Sequence, residues 1–88
     1  MNKYLVEFLG AIFFVYVILA TGNPIAMGAA FALVVLLIMP ISGGYINPAI
    51  TIAMASAGKI SHAEILPYCI AQILGALVAL EIYRRFQM

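Results

Sequence analysis

Three long apolar blocks set the strongest limit on what this chain can fold into. They occupy about residues 4–20, 25–41 and 62–83, and glycine, proline or charged residues separate them. A helix of about 20 residues, rising 1.5 Å per residue, crosses a hydrocarbon core of ~30 Å. Charged residues make up only 8% of the chain, against about 25% in soluble domains. The sequence therefore predicts an all-α, multi-pass membrane protein.

The remaining composition argues against several classes of function. A net charge of +1 leaves no basic surface for nucleic acid. The single cysteine, Cys69, rules out an internal disulfide and a cysteine metal site. No nucleophile, metal or phosphate motif is present, so we predict neither an enzyme nor a cofactor. Lys3 before an apolar run resembles a signal peptide, but Glu7 interrupts that run and two further blocks follow, so we expect a retained span.

A short apolar segment between the second and third blocks is the most informative part of the chain. Asn47 suits a helix N-cap, Pro48 the first helical position, and Gly58 the position after a helix end. The predicted helix, residues 48–57, is about 15 Å long and covers roughly half a bilayer core. We therefore expect a re-entrant loop and half-helix over residues 42–57, within one membrane domain spanning residues 1–88.

Such a half-helix predicts a permeation or binding site. Irregular backbone at membrane depth is tolerated only where protein buries it or where it lines a watery cavity. An interfacial helix that merely joins the second and third spans is the alternative.

Three motifs resemble the aquaporin and aquaglyceroporin family. Residues 42–51 read Ser-Gly-Gly-Tyr-Ile-Asn-Pro-Ala-Ile-Thr, and the family motif is Ser-Gly-Gly/Ala-His-x-Asn-Pro-Ala-Val-Thr before a half-helix. Residues 7–10, Glu-Phe-Leu-Gly, resemble the glutamate motif of its first helix. Residues 67–76 resemble its third-helix pattern with Gln and Gly. The resemblance implies half of the aquaporin fold: three transmembrane helices plus one re-entrant half-helix.

Family members carry two such halves in inverted orientations, whereas this chain carries one. Its motif resembles the first-half copy, and Ile50 stands where second-half copies have an arginine. Because one half-helix covers half the membrane depth, we expect a second, inverted copy to complete the pore. The basic residues balance across the membrane, which gives no orientation preference under the positive-inside rule. Lys3 and Lys59 fall on one side, and Arg84 and Arg85 on the other.

The resemblance also implies roles for particular residues. The Asn-Pro-Ala motif would face the pore, and the loop before it would line the path with backbone carbonyls. A wide apolar filter without a fixed cation would admit glycerol as well as water. Two polar side chains inside the helices would support the loop. The motif residues are Asn47, Pro48 and Ala49, and the loop carbonyls are those of Gly43, Gly44, Tyr45 and Ile46. The filter residues are Met27, Gly44 and Ile50, and the two supporting side chains are Glu7 and Gln72.

The sequence thus predicts a passive channel for water and small neutral solutes in the plasma (inner) membrane. Its partners would be the lipid bilayer and an inverted copy of itself, with four such pairs assembling into eight chains. One alternative is a small dual-topology transporter that couples proton movement to a substrate through Glu7. Another is a non-conducting fragment or an assembly partner of a longer channel.

Overall fold

The computed structural model describes residues 1–86, which form four α-helices and one short 3-10 turn. Three helices, the last counted with the 3-10 turn, are long and apolar enough to cross a membrane. The fourth is a nine-residue helix. The prediction of an all-α membrane fold with three spans and one short helix is thereby confirmed. The helices are α1 (Lys3–Thr21), α2 (Pro24–Ser42), α3 (Pro48–Ser56) and α4 (Ile65–Phe86), with the 3-10 turn at His62–Glu64.

Local capping explains why the first apolar stretch breaks into α1 and α2. Gly22 ends α1 in the left-handed region with φ 56°, a conformation that glycine adopts without a Cβ penalty. The Asn23 side-chain oxygen then accepts hydrogen bonds from the amides of residues 25 and 26, and Pro24 opens α2. The result is a tight helical hairpin.

Helix α1 is the centre of the bundle. It packs against α2 on one side and α4 on the other, and α3 lies against α4. The crossing with α4 is close because Gly75 has no side chain. A Cβ there would lie 2.5 Å from the Phe8 carbonyl oxygen and 2.9 Å from the Ala11 Cβ. Small residues allow such approaches between membrane helices.

The start of α1 is fastened to the turn before α4. The Lys3 Nζ lies 3.0 Å from one Glu64 carboxylate oxygen, and the Tyr4 hydroxyl donates to the other at 2.7 Å. Both helices therefore begin at the same end of the molecule. Since α4 has 22 residues, its C-terminal arginines lie at the other end, roughly 30 Å away.

Candidate functional site

The segment joining α2 to α3 has an unusual backbone. Gly43 and Gly44 have φ values of 96° and 68°, and Ile46 has 64°. The Asn47 amide donates to the Tyr45 carbonyl at 2.7 Å, which closes a γ-turn centred on Ile46. We call residues 43–47 the loop.

A buried carboxylate on α1 holds this loop. Glu7 is fully buried and accepts four hydrogen bonds. Its Oε2 receives the Ser42 hydroxyl at 2.6 Å and the Tyr45 amide at 3.1 Å. Its Oε1 receives the Ile46 amide at 2.7 Å and the Gln72 side-chain amide at 2.8 Å. A buried carboxylate is tolerated when its lone pairs are satisfied in this way.

Gln72 extends the same network from α4 to α3. Its Nε2 also lies 2.8 Å from the Thr51 hydroxyl, which in turn donates to the Asn47 carbonyl at 3.0 Å. Gln72 and Thr51 are almost completely buried. The start of α3 is therefore fixed by side chains from both α1 and α4.

The N-terminus of α3 opens on a groove of about 260 Å³. Asn47 is exposed there, and its side-chain oxygen accepts the Ala49 amide at 2.7 Å, leaving its NH₂ group directed at no acceptor within residues 1–86. No donor among the described residues reaches the carbonyl oxygens of Gly43, Gly44 or Ile46. Of these residues, Ile46 and Asn47 border the groove, and most of its remaining wall is apolar. It is lined by Phe14, Val15, Ile18, Ile46, Asn47, Pro48, Gln72, Ile73 and Ala76.

Comparison with known proteins decides the family. The sequence profile of the family described as "Major intrinsic protein" matches residues 21–88. The chain belongs to the major intrinsic protein family. The resemblance predicted from the three motifs is confirmed, and so are the multi-pass membrane class and the prediction that the chain is not an enzyme.

Several relatives align over nearly the whole chain. It is 41% identical to "Glycerol uptake facilitator protein-like 6" of Lactiplantibacillus plantarum, over 98% of this chain and 44% of that protein. It is 33% identical to "Aquaporin Z" of Bradyrhizobium diazoefficiens and 34% identical to "Aquaporin Z" of Brucella melitensis. Those alignments cover 93% of this chain and 40% and 42% of the two relatives. The chain thus spans about two fifths of their length. No solved structure gives a significant match.

In this major intrinsic protein, the predicted filter residues lie on three different parts of the chain: Met27 on α2, Gly44 in the loop and Ile50 on α3. Gly44 lies against Val35, whose Cα would be 3.3 Å from an added Cβ. Met27 precedes Val35 by two turns of α2, about 12 Å along the axis. Ile50 is half-buried in the first turn of α3. That Met27, Gly44 and Ile50 form one constriction therefore stays a prediction for an assembled pore.

Sequence reasoning missed three residues that support the loop. Ser42 and Thr51 lie inside the motif, and their hydroxyls could have been suspected from their position next to Gly43 and Asn47. Tyr68 gave no such signal. It is buried, donates to the Ser42 carbonyl at 2.7 Å and packs its ring 5.5 Å from that of Tyr45.

Proposed function

We propose that this chain forms a passive channel for water and small neutral solutes such as glycerol, with two inverted copies making one pore. The observation that carries the proposal is the groove at the start of α3. There, the Asn47 side-chain amide and Ile46, whose carbonyl receives no donor from the described residues, border an open space between largely apolar helices. In hydrocarbon such groups must meet protein or water.

The length of α3 supports pairing. Nine residues rise about 13 Å, or roughly half of a hydrocarbon core. A second copy that entered from the other side would supply the missing half. The contact of Lys3 with Glu64 and the length of α4 support the expected separation of basic residues, Lys3 and Lys59 at one end, Arg84 and Arg85 at the other. Neither end carries an excess that would set one orientation.

The chemistry of the groove fits neutral solutes. Carbonyl acceptors and the Asn47 NH₂ can replace the hydrogen bonds of a permeating hydroxyl group or water molecule. The N-terminus of α3 carries partial positive charge, and two such ends meeting at the midplane would disfavour cations. With Met27, Gly44 and Ile50 as its filter, the pore would have no fixed charge at its narrow point and would admit glycerol.

The names of the relatives agree with these solutes, since they include a glycerol uptake facilitator and aquaporins. We further propose that the pore units assemble in fours, giving eight chains, in the plasma membrane. Pairing with a separate half is the second candidate, because the chain spans only about two fifths of these relatives. A transporter that uses Glu7 is disfavoured, since four donors already occupy that carboxylate.

Liposomes containing the purified protein should shrink faster than empty liposomes in an osmotic gradient. The double variant Asn47→Ala, Pro48→Ala should lose this increase, because it removes both the cap of α3 and the amide donor at the groove. Stopped-flow light scattering measures the rate, and a glycerol gradient tests the second solute. The matched control is Asn23→Ala, Pro24→Ala, which removes the same pair from the start of α2, outside the groove. Equal rates for both double variants would refute a pore at Asn47.

Both orientations should be present in the membrane in similar amounts. A tag at the C-terminus should be accessible to a membrane-impermeant reagent in part of the population from each side of the membrane. Adding two lysines beside Arg84 should bias the population and reduce conduction, since fewer inverted pairs could form. A single orientation of the unmodified protein, combined with full conduction, would exclude the inverted homodimer.

A further inference from the structure

Ile46 adopts a backbone conformation that an isoleucine rarely occupies. Its φ of 64° lies in the left-handed region, where a β-branched side chain is an outlier. The neighbouring positive-φ positions of the loop, Gly43 and Gly44, are glycines. Strain of this kind persists only where the surroundings over-determine it, so the side chain of Ile46 must contribute contacts that offset it.

Those contacts lie between α1 and α2. Only 6% of the Ile46 surface is exposed, and it forms an apolar cluster with Ala11 of α1 and Val34 of α2. Around this cluster pack the partly buried side chains of Phe14, Phe31 and Ile38. The loop is therefore anchored to the helical hairpin by a side chain as well as by the Glu7 carboxylate.

Gly10 makes the room for this anchor. A Cβ at Gly10 would lie 2.8 Å from the Ile46 Cδ1 and 2.9 Å from the Val34 Cγ1, closer than carbon atoms pack. The absence of a side chain at Gly10 thus creates a socket, which we define as the space between Gly10 and Val34 that receives the end of Ile46.

We propose that Ile46 is a positioning residue of the loop, and that its seat in the Gly10 socket determines solute discrimination. This inference rests on the proposed channel function. The Ile46 amide is tied to Glu7 at 2.7 Å, and its side chain is tied to the socket. Ile46 also lines the groove, and its carbonyl, which receives no donor from the described residues, belongs to the residue that these two attachments hold. A shift of the side chain therefore moves the acceptor that a solute would meet.

The first test measures glycerol and water permeability in the same liposomes and takes their ratio. The ratio does not depend on how many channels are folded, so a merely structural role would leave it unchanged. Ile46→Gly relieves the backbone strain but removes the anchor, and Ile46→Val removes only the Cδ1 methyl group. We expect Ile46→Gly to change the ratio by about two- to tenfold, the lower part of the range that residues in contact show, and Ile46→Val to change it less.

The second test is a double-mutant cycle on thermal unfolding in detergent. Gly10→Ala should lower the unfolding temperature, and adding Ile46→Val should restore much of that loss because it removes the clashing Cδ1. Gly75→Ala is the matched control. Its Cβ would meet Phe8 and Ala11, so Ile46→Val should not rescue it.

The outcomes separate the two hypotheses. Additive losses in the Gly10 cycle would exclude the socket. A wild-type channel that conducts, with a permeability ratio unchanged by Ile46→Gly, would overturn the positioning role. Wild-type liposomes that conduct neither solute would overturn the channel itself and with it the role in discrimination, while the cycle would still report on the socket.

Discussion

Glu7→Ala should abolish conduction and destabilise the protein by several kcal/mol. The change removes the acceptor of two backbone amides of the loop and of two side-chain donors, and it leaves a small void in the centre of the bundle. Each buried donor left without a partner costs about 1–3 kcal/mol. The amides of Tyr45 and Ile46 have no other acceptor within the described structure, so the loop should leave its position. Unfolding in detergent and osmotic flux in liposomes measure the two effects.

Glu81→Ala is the matched control for this loss. Glu81 is also a glutamate in a membrane-length helix, but its side chain is 59% exposed and, within residues 1–86, pairs only with Arg84 at 3.5 Å. Exposed pairs of this kind contribute little, so this variant should unfold and conduct like the wild type. A Glu7→Ala protein with wild-type stability and flux would show that the carboxylate does not hold the loop.

Gly75→Leu should separate α1 from α4 and disrupt the bundle. Even a Cβ at this position would lie 2.5 Å from the carbonyl oxygen of Phe8, a backbone atom that cannot rotate away. Overpacking of a tight contact by one methyl group typically costs about 1–3 kcal/mol, and leucine adds three more carbon atoms. The unfolding temperature in detergent should fall steeply, together with the amount of protein recovered from membranes.

Gly28→Ala tests whether any helical glycine behaves in this way. Nothing lies within 4 Å of a Cβ built on Gly28. In the interior of a helix, alanine is more stabilising than glycine by up to about 1 kcal/mol. This variant should be as stable as the wild type or slightly more stable. If Gly28→Ala and Gly75→Ala destabilised the protein equally, the close crossing of α1 and α4 would not be the cause.

The sequence predicted the parts of the fold that depend on local chemistry. The cap at Asn47 and the proline after it predicted the start of α3. Helix α3 ends at Ser56, one residue before its predicted end, with Ala57 as its C-cap. Apolar length and capping are short-range properties, which is why they are visible without a structure.

Contacts between distant segments were harder to predict. Ser61 and Glu64 have the spacing of a reciprocal capping box, and the Ser61 hydroxyl does accept the Ala63 amide at 3.2 Å. The Glu64 carboxylate instead turns to Lys3 and Tyr4, which are about 60 residues away in sequence. The Lys3 ammonium and the Tyr4 hydroxyl bind this carboxylate in place of the backbone amide of a capping box. The spacing of Ser61 and Glu64 alone does not reveal these partners. The positive φ of Ile46 was hidden for the same reason, because the partners that hold it lie on α1 and α2.

During synthesis, the hydrogen-bond partners of the Glu7 carboxylate become available one after another. Glu7 is synthesised before its partners, and the side chain of Gln72, which supplies one of its hydrogen bonds, follows 65 residues later. Its two amide donors on the loop arrive between these points. An unsatisfied charge is costly within a bilayer. Helix α1 must therefore keep this side chain in contact with water or other polar groups while it enters the membrane, and the polar centre can be completed only once α4 has joined it.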